Sequence, residues 1–175
     1  MGFIDVIKER AKAANKTIVL PETEDRRTYE AAAQILKEGI AKIILVGSEE
    51  AVKKGSEGLD LTGAVVVDPA TSDRTQAYID KLVELRQKKG MTPEQAKEIL
   101  LNQYLYYGVM MVKMGDADGM VSGACHSTAD TLRPCLQILK TKPGTKLVSA
   151  FFLMVVPNCE YGADGTFIFA DSGLN

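Results

Sequence analysis

The sequence predicts an α/β protein built as a three-layer sandwich around a mostly parallel sheet. Short apolar segments alternate with longer segments of helical periodicity along most of the chain, a pattern typical of a parallel sheet covered by helices on both faces. The 175 residues are 46% hydrophobic and 25% charged, which is the composition of a globular protein with enough apolar material for a core.

Four apolar segments predict the strands of the sheet, at residues 17–21, 41–46, 64–68 and 119–122. An amphipathic helix precedes the first strand, and further helices are predicted at residues 27–38, from 49 onward, and at 73–89 and 92–113.

The ends of these helices carry typical capping residues. Gly39 and Gly90 follow two of them, where glycine ends a helix in the left-handed conformation. Thr92 and Pro93 mark the start of the last one, as N-cap and first helical residue. The carboxyl ends of the parallel strands are then the expected edge for a ligand.

The pattern changes near residues 140–146. An apolar run at 147–156, a turn-rich segment at 158–166 and an apolar segment at 167–170 predict a β-hairpin. We expect a first α/β domain at residues 1–143 and the beginning of a second, truncated domain at 144–175. Few residues are left to cover the last strand, so we expect a partial version of a longer protein.

Charge and hydropathy exclude several classes of partner. Lys and Arg number 21 against 23 Asp and Glu, so no basic field favours nucleic acid. The longest apolar run is far shorter than the roughly 20 residues that span a bilayer, and the first residues contain no apolar signal core. We expect a cytoplasmic protein that binds neither nucleic acid nor membranes.

The cysteines Cys125, Cys135 and Cys159 favour neither a disulfide framework nor a metal site, because their number is odd and no C-x-x-C spacing occurs. Cys125 and His126 resemble a nucleophile and its base. Neighbours on an extended strand point to opposite faces, however, so a small buried cysteine is the favoured interpretation.

Residues 118–139 are the segment most indicative of function. A buried strand, a turn rich in glycine and hydroxyl groups, and a helix that carries Arg133 follow one another there. Free backbone N–H groups, a helix dipole and an arginine would surround one point, which favours an anionic ligand. Ser127 and Thr128 would supply hydroxyl donors to it.

A second interpretation of the same turn needs no ligand. Ser127 and Asp130 fit a capping box, which satisfies N–H groups at a helix start. Pro134 leaves the start open, because it would kink a helix that begins near Ser127 but would fit the first turn of a helix that begins near Thr131.

Several separate segments, spread over essentially the whole chain, carry a resemblance to a known family. They are Val19-Leu-Pro-Glu-Thr-Glu-Asp-Arg26, Ala51-Val-Lys53, Leu85-Arg-Gln-Lys-Lys-Gly-Met-Thr92, Gly119-Met-Val-Ser-Gly-Ala-Cys-His-Ser-Thr128, Leu132-Arg-Pro134 and Phe169-Ala-Asp-Ser172. In this order they resemble the amino-terminal half of phosphate acetyltransferases, a family that includes phosphate butyryltransferases. The third and fourth segments are more similar to the acetyl branch.

The resemblance implies an acyltransferase that moves an acetyl group reversibly between acetyl phosphate and coenzyme A. It implies two α/β domains of the isocitrate/isopropylmalate dehydrogenase-like kind that meet at an active-site cleft, usually as a homodimer, with coenzyme A as a substrate and no further cofactor. The substrate-binding residues carried over are Ser127, Thr128, Arg133 and Arg86. Family members are longer, and their catalytic residues lie in the half that is missing here, so no catalytic residue is assigned.

Alternatives remain beside these roles. Arg86 near the end of a predicted helix would equally complement the helix dipole. The chain could also be a non-catalytic module that binds an acyl phosphate or coenzyme A, or part of a phosphate butyryltransferase. A nucleotide-dependent oxidoreductase is disfavoured because neither G-x-G-x-x-G nor a P-loop occurs.

Overall fold

The computed structural model describes residues 2–146 and 148–170. Residues 11–140 form one compact unit, and residues 2–10 form a second unit with the described residues from 141 onward. The predicted domain boundary between residues 143 and 144 stays a prediction. Leu147, at the start of the predicted apolar run, and residues 171–175 lie outside the described residues.

A parallel sheet organises the larger unit, as predicted. Its strands are β1 (Thr17–Leu20), β2 (Lys42–Val46), β3 (Val65–Val67) and β4 (Gly119–Met120). They lie in the order β3-β2-β1-β4. Every pairing is parallel, and Ile18 of β1 stands between Ile43 of β2 and Gly119 of β4.

Helices connect the strands at the predicted places. They are α1 (Phe3–Ala14), α2 (Arg26–Glu38), α3 (Glu49–Gly55), α4 (Thr75–Arg86), α5 (Pro93–Asn102), α6 (Tyr104–Met114) and α7 (Thr128–Pro134). A 3₁₀ turn, Gln87–Lys89, extends α4, and a π-helical turn, Cys135–Leu139, extends α7. Gly39 ends α2 at a positive φ of 65°, and Thr92 with Gln95 forms the capping box of α5.

Successive residues of a strand point to opposite faces of the sheet and so build two cores. Val19 and Ile44 pack with side chains of α4, α5 and α6. Leu20 and Leu45 pack with α2 and α3 on the other face. The unit therefore has helices on both sides of the sheet, which confirms the predicted fold class.

The helix predicted at residues 92–113 is two helices, so that prediction is wrong. Gln103 is extended, with φ −126° and ψ 90°, and separates α5 from α6. Its N–H closes α5 on the Ile99 carbonyl at 2.8 Å, and its own carbonyl accepts from the N–H of Tyr106 at 2.9 Å. Neither glycine nor proline marks the break. Because α6 is apolar on most of its circumference, the spacing of apolar residues did not indicate where one helix ends and the next begins.

The smaller unit contains the predicted hairpin. Its strands are β5 (Phe151–Val155) and β6 (Thr166–Ala170), which pair antiparallel with Phe151 opposite Ala170 and Val155 opposite Thr166. Within the part of the chain that the structure describes, no helix has both the length and the apolarity to cross a lipid bilayer.

A close approach between α3 and α2 gives a test of the packing. A Cβ added at Gly55 would collide with the ring of Tyr29, which is only 1% exposed. We expect Gly55→Ala to lower the free energy of unfolding by about 1–2 kcal/mol, because the buried ring must move. Urea denaturation followed by circular dichroism measures this change.

Gly119→Ala is the matched control, since a Cβ there would meet Ile18 Cδ1 at an ordinary 3.4 Å. Its free energy of unfolding should change by less than about 0.5 kcal/mol. Equal effects of the two substitutions would contradict the proposed collision with Tyr29.

Candidate functional site

The loops that follow β1 and β4 meet at the carboxyl edge of the sheet, as predicted. Glu22 makes the contact, although its side chain is only 3% exposed. Its Oε2 accepts from the N–H groups of Gly123 and Ala124, both at 2.7 Å. Its Oε1 accepts from those of Cys125 at 3.1 Å and His126 at 3.0 Å.

The loop therefore does bind an anion, but the anion is internal. One of the two interpretations of the sequence gave these N–H groups a ligand, the other needed none, and neither gave Glu22 a role. Its position directly after a buried strand and Pro21 was the available clue, because the carboxyl end of a parallel strand is where functional side chains are expected.

The environment of Glu22 keeps its carboxylate ionised at neutral pH. Burial raises the pKa of Glu22, but the hydrogen bonds donated by the loop, from the N–H groups of Ala124, Cys125 and Gly123 and from the side chain of His126, lower it to about 2 from its usual 4.5. His126 Nδ1 lies 2.9 Å from Glu22 Oε1.

Further hydrogen bonds hold the loop after β1 in place. Thr23 Oγ1 donates to the Val46 carbonyl, and Tyr29 Oη donates to the Thr23 carbonyl, both at 2.6 Å. Arg27 Nη2 donates to the Ala124 carbonyl at 2.5 Å and pairs with Asp25 at 2.6 Å. Glu22 therefore projects from a loop that is itself anchored to the sheet and to α2.

Cys125 and His126 lie closer together than the sequence predicted. Because β4 ends at Met120, both residues belong to the loop, and Cys125 Sγ is 3.5 Å from His126 Nδ1. The predicted burial of Cys125 is also wrong, since its side chain is exposed. The loop nevertheless removes part of the water around the sulfur atom. This desolvation, together with the carboxylates of Glu24 and Glu22, raises the pKa of Cys125 to about 12. The thiol is therefore a poor nucleophile at neutral pH.

Glu22, Cys125 and His126 also offer ligand atoms that all lie within 4.8 Å of one another. The donor set does not suit a cation. Four N–H groups direct their positive ends at the Glu22 carboxylate and already occupy its oxygens, and such an arrangement stabilises negative charge.

A cleft of about 470 Å³ opens beside this loop. His126 and Asp130 form one part of its wall, and Arg133 of α7 forms another. The Arg133 side chain is 59% exposed and lies 3.8 Å from Asp130, so most of its guanidinium donors face solvent. The full lining is Thr23, Glu24, Ala51, Asn102, Gln103, Tyr104, Leu105, Tyr106, His126, Asp130 and Arg133.

Ser127 and Thr128 lie at the start of α7, outside this lining. Ser127 Oγ accepts from the Asp130 N–H at 3.2 Å and donates to its carboxylate at 2.6 Å, which makes Ser127 the N-cap. The helix accordingly begins at Thr128 rather than near Thr131, and Pro134 is its last residue. The chain then widens into the π-helical turn, closed by the Lys140 N–H on the Cys135 carbonyl at 3.0 Å.

Arg86 is the last residue of α4, as expected. Its Nε is buried and has no hydrogen-bond partner in the described part of the chain. Burial raises the pKa of Tyr106, and the positive charges of Arg133 and Arg86 oppose that rise. Arg86 and Arg133, both predicted as substrate-binding residues, therefore act on the hydroxyl group of Tyr106. Sequence reasoning missed Tyr106 as a residue of the cleft.

The fold and the cleft define an α/β protein with a cleft beside the loops at the carboxyl edge of a parallel sheet, lined by an exposed arginine. Residues 2–175 match the family model described as Phosphate acetyl/butaryl transferase, and the chain belongs to this family. Phosphate acetyltransferases from Acetivibrio thermocellus and Thermoanaerobacterium thermosaccharolyticum are 58% and 50% identical over 99% and 100% of the chain.

Solved structures agree with these sequence relatives. A phosphotransacetylase from Staphylococcus aureus matches with a TM-score of 0.86 and 40% identity over 98% of the chain. The chain spans about half the length of the relatives it matches, namely 52% and 53% of the two proteins above and 50% of the Staphylococcus structure.

Glu22→Gln tests the role of the internal carboxylate. The folded-state pKa of about 2 lies below the usual 4.5, so Glu22 stabilises the fold fully above about pH 4.5 and loses this effect as the pH falls towards 2. We expect the substitution to lower the free energy of unfolding at pH 7 by about 3 kcal/mol. Urea denaturation at pH 7 and pH 3 should show the difference from wild type shrinking by about 2 kcal/mol at the lower pH.

Glu24→Gln is the control, because Glu24 is 52% exposed and lies 3.6 Å from His126 Nε2. Its loss of stability should stay below about 0.5 kcal/mol. A loss as large as that of Glu22→Gln, or one independent of pH in the latter, would contradict the assignment.

Proposed function

We propose that the chain contributes the amino-terminal half of a phosphate acetyltransferase, which transfers an acetyl group reversibly between acetyl phosphate and coenzyme A. The observation that carries the proposal is the position of Arg133, whose guanidinium faces the cleft with most of its donors free. The names of the relatives that match nearly the whole chain support the same activity.

The residues of the cleft suit binding of both substrates, which are phosphate-bearing anions. A guanidinium forms paired hydrogen bonds with phosphate oxygens, and Arg133 is placed to do so. Arg86 adds a second positive charge near Tyr106. Ala51 and Leu105 add apolar surface to the same cleft, which suits the less polar parts of a long ligand.

In the transfer step, the sulfur of coenzyme A attacks the acetyl carbon of acetyl phosphate. A carbon–sulfur bond forms, the bond from carbon to the phosphate oxygen breaks, and inorganic phosphate leaves with that electron pair. Arg133 would stabilise the negative charge on the phosphate. The thiol proton passes to a base, which we expect in the part of the relatives that this chain does not span.

The environment of Cys125 supports direct transfer without an acetylated cysteine. A thiol with a pKa of about 12 forms little thiolate at neutral pH, and the thiolate is the attacking species. Ser127, engaged with Asp130, is proposed to position α7 and thereby Arg133. Thr128, exposed at the first turn of α7, is proposed as an accessory hydroxyl donor.

The remaining expectations from the sequence stay proposals. They are a homodimer in the full-length protein, a cytoplasmic location, and the absence of nucleic-acid and membrane partners and of a cofactor. Preference for acetyl over butyryl groups is likewise proposed, on the similarity of relatives named phosphate acetyltransferase.

Thioester formation, followed by ultraviolet absorbance with acetyl phosphate and coenzyme A, tests the activity. The chain is assayed alone and joined to the second half of the Acetivibrio thermocellus relative. We expect turnover only in the joined protein. Binding of coenzyme A without turnover in either protein would favour a non-catalytic module, and faster reaction with butyryl phosphate would favour a butyryltransferase.

In the joined protein, Arg133→Ala is expected to lower kcat/KM at least tenfold, on the order of one lost charge-assisted contact to phosphate. Arg10→Ala, which removes an exposed arginine of α1, is the charge-matched control and should leave kcat/KM unchanged. An unchanged rate in Arg133→Ala would remove Arg133 from the site.

A further inference from the structure

Tyr106 lies on the cleft and forms a hydrogen bond with an irregular turn of the backbone, and the proposed function gives it no role. Its ring lines the cleft, and its hydroxyl donates to Gln137 Oε1 at 3.1 Å. Gln137 belongs to the π-helical turn Cys135–Leu139, a rare geometry that is frequent at functional sites. The turn keeps Ile138 fully buried while Gln137 reaches the hydroxyl group of Tyr106.

The surroundings of this hydroxyl are positive and incompletely paired. Arg133 lines the same cleft, and its guanidinium lies a loose 3.8 Å from the Asp130 carboxylate. Arg86 Nε is buried without a hydrogen-bond partner among the described residues. Both arginine charges act on the Tyr106 hydroxyl. Two positive charges near one hydroxyl favour a bound anion beside it.

Tyr104, two residues away on the same cleft, has the opposite electrostatic surroundings. Burial raises the pKa of Tyr104, and the negative charges of Asp68 and Glu24 raise it further. The cleft thus has a positive part around Tyr106 and a negative part around Tyr104. An anionic group is attracted to the first and repelled by the second.

We propose that the Tyr106 hydroxyl is a second donor, beside Arg133, to a phosphoryl group bound at this end of the cleft, with Gln137 holding the hydroxyl in place. The inference rests on the proposed function and adds a binding residue to it. The phosphoryl group belongs either to acetyl phosphate and its product phosphate or to coenzyme A.

The Gln137 amide allows the Tyr106 hydroxyl to turn from Gln137 towards a ligand. In the structure, the amide oxygen accepts a hydrogen bond from the Tyr106 hydroxyl. If the amide rotates by half a turn, its NH₂ group donates to the phenol oxygen instead. The Tyr106 proton is then free to point at a phosphate oxygen, while the phenol oxygen keeps Gln137 as its partner.

Isothermal titration calorimetry of this chain with inorganic phosphate, acetyl phosphate and coenzyme A tests the proposal. Tyr106→Phe is expected to weaken binding of the phosphoryl ligand roughly tenfold, as for loss of a hydrogen bond to a charged group. Tyr104→Phe should cause a smaller loss. Tyr161→Phe, at an exposed position in the smaller unit, should cause none. The titrant that responds identifies the source of the phosphoryl group.

The outcomes separate this inference from the proposed function. Binding that depends on Arg133 but is unchanged in Tyr106→Phe, or lowered equally in Tyr104→Phe, overturns the inference and leaves the proposed function standing. Failure of the wild-type chain to bind any of the three titrants overturns the inference, whereas thioester formation in the joined protein decides the proposed function separately.

Carbon-13 NMR of the wild-type chain labelled at tyrosine Cζ gives a second test, in which ligand binding is followed on the unsubstituted chain. The chain has 6 tyrosines, and the Tyr106 signal should move more than that of Tyr104 when the ligand is added. A Tyr106 signal that stays in place under saturating ligand overturns the proposal.

Discussion

The Glu22 carboxylate, buried and bonded to four consecutive backbone N–H groups, is the interaction on which the site depends. It joins the loop after β1 to the loop after β4, although the two are about a hundred residues apart along the chain. The same carboxylate contacts His126, and α7 begins immediately beyond. This contact therefore fixes the loop from which α7 and Arg133 begin.

An internal anion in this position also decides where a ligand can bind. A loop with free N–H groups would attract a phosphate, but these groups are already satisfied, and the Glu22 charge repels a second anion. The available positive groups are side chains, namely Arg133, which lines the cleft, and Arg86, whose charge acts on Tyr106 of the same cleft. Under the proposed function, the loop supports the site, and the arginines are the groups left to recognise an anion.

Two departures from regular helix shape the other wall. The break at Gln103 starts α6 anew and brings Tyr104 and Tyr106 to the cleft, and the π-helical turn after Pro134 brings Gln137 to Tyr106. Both lie next to groups that line or support the cleft. Irregular backbone of this kind alters which side chains share a face, since it changes the residue spacing of the helix.

The sequence by itself determined the layers, the strands, the helix caps and the hairpin, because each follows from the spacing of apolar residues and from capping residues close together in the chain. It also indicated the arginines and the loop at the carboxyl edge of the sheet. Only the tertiary structure decided that Glu22 fills the loop, that Cys125 and His126 touch, which of the two possible starts α7 uses and that Tyr106 meets Gln137. These contacts depend on how distant segments pack or on exact backbone turns, and local periodicity contains no information about either.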